Sequence, residues 1–126
     1  NKNITSDRFP IVGEGTIHFE WKLRHFGRRI SSDSVVEDAK TLDQVNPWQV
    51  GRVEHTTAFG AKYPEEQRKS PIIGLGSVGK VSGCHSVPRL DVDDDGRHLG
   101  LCRWDGDWYA LYRFLLVRMF SVPPVS

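Results

Sequence analysis

The chain has 126 residues, 38% of them hydrophobic and 26% charged, with 17 basic against 16 acidic side chains. That length fits one domain, residues 1–126, able to bury about two-thirds of its unfolded surface, and the composition is that of a folded chain rather than a disordered one. The balanced charge supplies no global field to recruit nucleic acid or an anionic membrane, and no apolar run nears the roughly 18 residues of a membrane span.

Residues 1–10 are polar, end at Pro10 and are expected to form a loosely held N-terminal segment. The stretch TIHFEWKLRHF then sets Ile17, Phe19, Trp21 and Leu23 against His18, Glu20, Lys22 and Arg24 in strict alternation. Period two over eight residues predicts a strand with one buried and one wet face. Ser34 with Glu37 three residues later matches a capping box. Val35, Ala39 and Leu42 follow at helical spacing and Asn46-Pro47 stops the run, so the main helix is predicted over about 34–45. Carrying 30–36 as a second strand is the rival reading. WQVGRVEHTTAF reads as a strand interrupted by Gly51, and YPEEQRKS as one helical turn or an exposed loop.

The C-terminal third contains VPRLDV, RHLGLCRW and WYALYRFLLV, separated by DDDG and DGD. Asp-Gly between apolar runs is a strong hairpin signal, because glycine supplies positive φ. A three-stranded antiparallel meander is therefore predicted. Its last run is apolar on both faces, which suits a central strand or a subunit interface. The fold class is α+β: a predominantly antiparallel, curved sheet of about five or six strands with one main helix packed on it.

IIGLGSVGKV carries G-x-G-x-x-G at Gly74, Gly76 and Gly79. A dinucleotide-binding loop needs a helix to open at its last glycine, but Gly83, Val81 and Pro88 deny it one. The lysine strand, HRD and DFG segments of a kinase are missing too. A glycine-rich turn or bulge is the expected reading, and no cofactor is expected. Asp91, Asp93 and Asp95 in DVDDDG resemble the oxygen-ligand core of a calcium loop. The twelfth position is Cys102 rather than glutamate, so no metal is expected and an acidic hairpin turn is the simpler account. His98 and Cys102 lie four apart in a predicted strand, about 13 Å along it, too far to share zinc.

Glu20 and Lys22 match the E-x-K half of metal-dependent nucleases, and His18 beside Glu20 could form an acid–base pair. Lys22, Arg24, Arg28 and Arg29 form the most basic local stretch, a candidate phosphate contact, although neighbouring acids offset it and nucleic acid is not the preferred partner. The aromatic residues exceed what a single sheet can cover. Trp104, Trp108, Tyr109 and Tyr112 flank one hairpin, and such side chains concentrate in ligand clefts and interfaces. No nucleophile motif is present. The expectation is a non-catalytic module that binds a small ligand or a protein, self-associates, and uses these rings. DGDWYALYRF resembles the last strands of cone-shaped NTF2-like domains; that resemblance implies a small-molecule pocket, and with it an enzyme using His18, Glu20 and Lys22 is the alternative. Two cysteines, Cys84 and Cys102, are too few for a disulfide framework and point to the cytoplasm. Secretion, with Asn3-Ile4-Thr5 as a glycosylation sequon, is the alternative.

Overall fold

The computed structural model describes residues 19–81, 84–105 and 107–119. The N-terminal decapeptide, His18 and the sequon lie outside these. The alternating stretch becomes β1 (Phe19–His25). Its Phe19 and Leu23 pack with Phe59 and Tyr63 of the segment that follows Arg52, and the Trp21 ring lies 4.9 Å from Phe59 and 5.0 Å from Tyr63. On the opposite face Glu20 pairs with Arg118, and Arg24 with Asp38 at 2.8 Å. The face expected to be wet is thus partly occupied by ion pairs.

β2 (Ile30–Ser31) leads directly into α1 (Ser32–Thr41). The cap is Ser31, whose Oγ accepts the Ser34 amide at 3.2 Å, rather than Ser34. The helix therefore starts before 34 and stops at 41 instead of 45, where Asp43 Oδ1 takes the amides of Val45 and Asn46 at 3.0 and 3.1 Å and turns the chain. Val35 and Ala39 are its buried apolar stripe.

After β3 (Gln49–Val50), the expected interrupted strand is instead a second ten-residue helix, α2 (Val53–Lys62). Gly51 separates strand from helix, and beyond it Val53, Thr56 and Gly60 recur at i, i+3 and i+7, a helical stripe that is buried. Gly60 lets the helix axis approach the sheet: a Cβ there would sit 3.2 Å from both Leu90 methyl groups. The single turn α3 (Glu66–Lys69) is pinned beneath the sheet by Arg113, which donates to Glu66 Oε1 at 3.1 Å and to the Ser70 carbonyl at 2.9 Å.

The remaining strands are β4 (Ile72–Ile73), β5 (Gly79–Val81), β6 (Cys84–Asp93), β7 (Gly96–Arg103), β8 (Asp107–Trp108) and β9 (Arg113–Met119). β9 is the central strand that its two apolar faces predicted. β1 pairs antiparallel along one edge from Phe19↔Met119 to His25↔Arg113. The other edge is shared by β4, parallel at Arg113 and Phe114, and by β3, antiparallel at Leu116 and Val117. Leu115 and Val117 pack with Phe59, Ile72 and Leu90, whereas Phe114 meets Ile30, Val35 and Trp108, and Leu116 meets Ala39 and Trp48.

The sheet is mixed and has seven strands among the described residues, with β2 and β8 forming a separate pair. The expected meander is a hairpin only. β6 and β7 pair from Ser86↔Arg103 to Asp93↔Gly96 around the acidic turn, with Gly96 at φ 119°. The third strand breaks at Tyr109–Tyr112, where the Tyr112 amide donates to the Tyr109 carbonyl at 3.2 Å. Its first half joins β2 and its second enters the middle of the sheet, so the pairing on which the NTF2-like resemblance rests does not form. No helix among the described residues is long and apolar enough to cross a membrane.

Candidate functional surface

The turn that splits the expected third strand carries the most exposed large side chains near the aromatic cluster. Tyr109 is 59% and Leu111 53% exposed. The turn is nevertheless held firmly. His25 Nε2 donates to the Ala110 carbonyl at 2.7 Å, which fixes the imidazole proton on Nε2, and the Arg113 amide donates to the Pro71 carbonyl at 3.0 Å.

The loop from Phe26 to Arg29 lies alongside, turning at Gly27 with φ 68°. Phe26 packs edge-on against buried Phe114, with ring centroids 5.9 Å apart. The guanidinium carbons of Arg24 and Arg28 stand 4.6 and 5.9 Å from its centroid, and that of Arg29 stands 5.3 Å from the Tyr109 ring. Arg24 is neutralised by a two-point contact with Asp38, at 2.8 and 3.2 Å. Arg28 and Arg29 have no acidic partner among the described residues. The result is a pinned turn displaying a tyrosine and a leucine beside a loop whose Arg28 and Arg29 have no acidic partner among the described residues.

The four rings expected to act together have separate roles. Trp108 belongs to the core at 5% exposure, its indole nitrogen donating to Ser32 Oγ at 2.8 Å. Trp104 and Tyr112 are half-buried against the same core, so only Tyr109 faces outward. Of the basic set, Lys22 stands 5.5 Å from the Trp48 ring and Arg24 is paired with Asp38, which leaves Arg28 and Arg29. Of the acid–base candidates, Glu20 is tied to Arg118, Lys22 is exposed, and His18 lies outside the described residues.

The carboxylates considered for calcium are dispersed. Asp91 is held by Arg89 Nε at 2.8 Å and faces His98 Nδ1 at 3.1 Å, while Asp93 Oδ1 accepts the Asp95 amide at 2.9 Å inside the turn. No three histidine, cysteine or acidic side chains among the described residues gather to hold a metal. Asp91 instead belongs to a cross-strand cluster that motif reading missed: Arg89 also donates to Cys102 Sγ at 2.9 Å. The signal was the hairpin turn, since counting back from it sets 91 opposite 98 and 89 opposite 100. Cys102 is a free thiol. Burial pushes its ionisation up, against the pull of Arg89, so it stays a thiol near neutral pH and is a poor nucleophile.

The glycine-rich stretch is a packing device. The Gly76 amide donates to the Gly51 carbonyl at 2.8 Å, and Ser77 Oγ accepts the Val53 amide at 2.8 Å, capping α2 from outside. A Cβ on Gly74 would lie 2.1 Å from Thr56 Oγ1, and one on Gly76 would lie 2.5 Å from the Val50 carbonyl oxygen. These glycines admit the backbone of a neighbouring segment. An open groove of about 260 Å³ runs between α2 and the β6–β7 hairpin, over Leu90 and Leu99. Arg97 crosses it to reach the Gly60 carbonyl at 3.0 Å. No known family model matches the chain, and neither a curated protein nor a solved structure is similar to it.

Proposed function

We propose that this protein is a non-catalytic interaction module that docks a protein segment carrying an acidic group beside an apolar side chain. The observation that supports this reading is the Tyr109–Leu111 turn: two large side chains more than half exposed, on backbone pinned to a central strand, beside Arg28 and Arg29, which have no acidic partner among the described residues. Tyrosine and arginine are enriched among the residues that dominate interface binding energy, tyrosine because its rigid ring brings a large contact area at little entropic cost. A turn fixed by His25 and Pro71 loses little freedom on binding, which leaves more of the contact energy as affinity. Arg28 and Arg29 select for acid and speed encounter.

Peptide display against the intact chain tests this. Enrichment of acidic–apolar peptides whose binding is lost in Tyr109→Ala and weakened in Arg29→Ala is expected. Peptides that bind Tyr109→Ala as tightly as the parent chain count against the surface, as does a selection that enriches nothing. If single-stranded nucleic acid binds instead, with a steep loss on adding salt and dependence on Arg28 and Arg29, the surface is a phosphate reader.

A further inference from the structure

We propose that β1 pairs with β1 of a second copy, antiparallel about a two-fold axis through Trp21, extending the sheet into a dimer. The inference is independent of the Tyr109 surface. Among the described residues β1 hydrogen-bonds β9 alone, and none of them meets the backbone donors and acceptors along its outer edge. The strand beside it, β9, is the sheet's rigid core, so this edge is held extended over all seven residues.

What such an edge accepts depends on its side chains. In a two-fold antiparallel pair, opposed residues share a face. With Trp21 on the axis, Phe19 meets Leu23 of the copy and Glu20 meets Lys22, each pair occurring twice. Both faces are then complementary: aromatic and aliphatic on the α2 side, opposite charges on the other. Glu20 is already held by Arg118 from inside, and Arg118 by Asp43 at 2.9 Å, so Lys22 of the copy would continue an alternating row of charge. Trp21 fits the same picture. It rests on Phe59 and Tyr63 yet remains 38% exposed, and a second Trp21 across the axis would cover it.

The alternative centre at Lys22 would oppose two lysines, which is unfavourable. The other long edge free among the described residues, β7, contrasts with β1. It carries Arg97, His98 and Arg103 without an acid, and centred on Gly100 it would set Arg97 against Arg103. In that register β7 opposes like charges, whereas β1 centred on Trp21 opposes unlike ones.

The test is the mass of the full chain in solution by light scattering across a concentration series, with Lys22→Glu and the charge-keeping Lys22→Arg alongside. A dimer is expected for the parent chain. Lys22→Glu, which touches an exposed side chain, should weaken it about tenfold, since two attractive cross-strand pairs become repulsive, and Lys22→Arg should leave it intact. Trp21→Cys should give a disulfide-linked dimer under mild oxidation and Leu23→Cys should not, because directly opposed strand positions have the Cα separation a disulfide needs. A parent chain that stays monomeric, a dimer indifferent to Lys22→Glu, or cross-linking at 23 in preference to 21 overturns the proposal.

Discussion

Trp108 donates its indole N–H to Ser32 Oγ, and Ser32 Oγ–H donates in turn to the carbonyl of Trp104, both at 2.8 Å. One hydroxyl at the start of α1 thereby closes the polar atoms of a loop more than seventy positions away in the chain. Ser32 and Trp108 are both buried, so neither group can turn to water. The relay also docks β8 onto β2 and so diverts the chain from the hairpin. Ser32→Ala leaves a buried indole donor and a carbonyl unmatched, and should cost about 1–3 kcal/mol. Urea denaturation followed by far-UV circular dichroism reads this directly, and Ser32→Thr should recover part of it where the extra methyl fits.

The contact between Gly74 and Thr56 gives a second prediction. Gly74→Ala places a methyl 2.1 Å from Thr56 Oγ1, and overpacking of this kind costs about 1–3 kcal/mol. In the background of Thr56→Ala the oxygen is gone and the nearest remaining Thr56 atom is Cβ, at 3.3 Å. Gly74→Ala should therefore cost clearly less there, a non-additivity expected of side chains in contact. Equal costs in the two backgrounds would falsify the packing account of these glycines. Added nucleotide should leave both denaturation midpoints where they are.

How far the sequence spoke for itself varied with the reach of each signal. The alternation of Phe19, Trp21 and Leu23, the Asp-Gly turn at Asp95-Gly96 and the two-faced run Phe114–Val117 are local patterns set by burial, and each yielded its strand. α2 was hidden because the β-branched threonines at 56 and 57, following Val50 and Val53, read as strand residues; the buried stripe of Val53, Thr56 and Gly60 was present but sparse. The meander failed for a non-local reason. Nothing within WYALYRFLLV says that Trp108 will find Ser32 or that Arg113 will be claimed by Glu66 and Ser70. The surface was legible in its ingredients, Tyr109, Arg28 and Arg29, but not in their meeting, which depends on His25 reaching the Ala110 carbonyl.

Tyr109→Ala and Leu111→Ala test whether that turn is built for display. Both side chains are largely in water, and surface substitutions of this sort move stability by no more than about 0.5 kcal/mol. Phe26→Ala differs, because its ring packs on Phe114, and should cost more. Thermal melting of the three variants should leave the first two close to the parent and shift the third downward. A large loss for Tyr109→Ala would mean the ring supports the fold rather than a partner.

His55 gives the protein a built-in sensitivity to mild acid. The imidazole is buried at the start of α2, its Nδ1 accepting the Arg52 amide at 3.0 Å and its ring edge-on to Phe19 at 4.9 Å. Burial pushes its ionisation below the ordinary histidine value; Glu54 works against this and Arg52 with it. A proton on Nδ1 would also cancel the hydrogen bond to Arg52. The unfolded chain, with its ordinary value near about 6.5, binds the proton more readily than the folded one. The stabilisation from neutral His55 is therefore present above about pH 6.5 and is lost as pH falls from there through the lowered folded value, with a slope of at most about 1.4 kcal/mol per pH unit. Urea midpoints measured from neutral pH down to about pH 5 should fall for the parent chain. His55→Gln, which keeps an acceptor but cannot take the proton, should start lower and lose less over the same interval. Parallel slopes would place the acid sensitivity in a group other than His55.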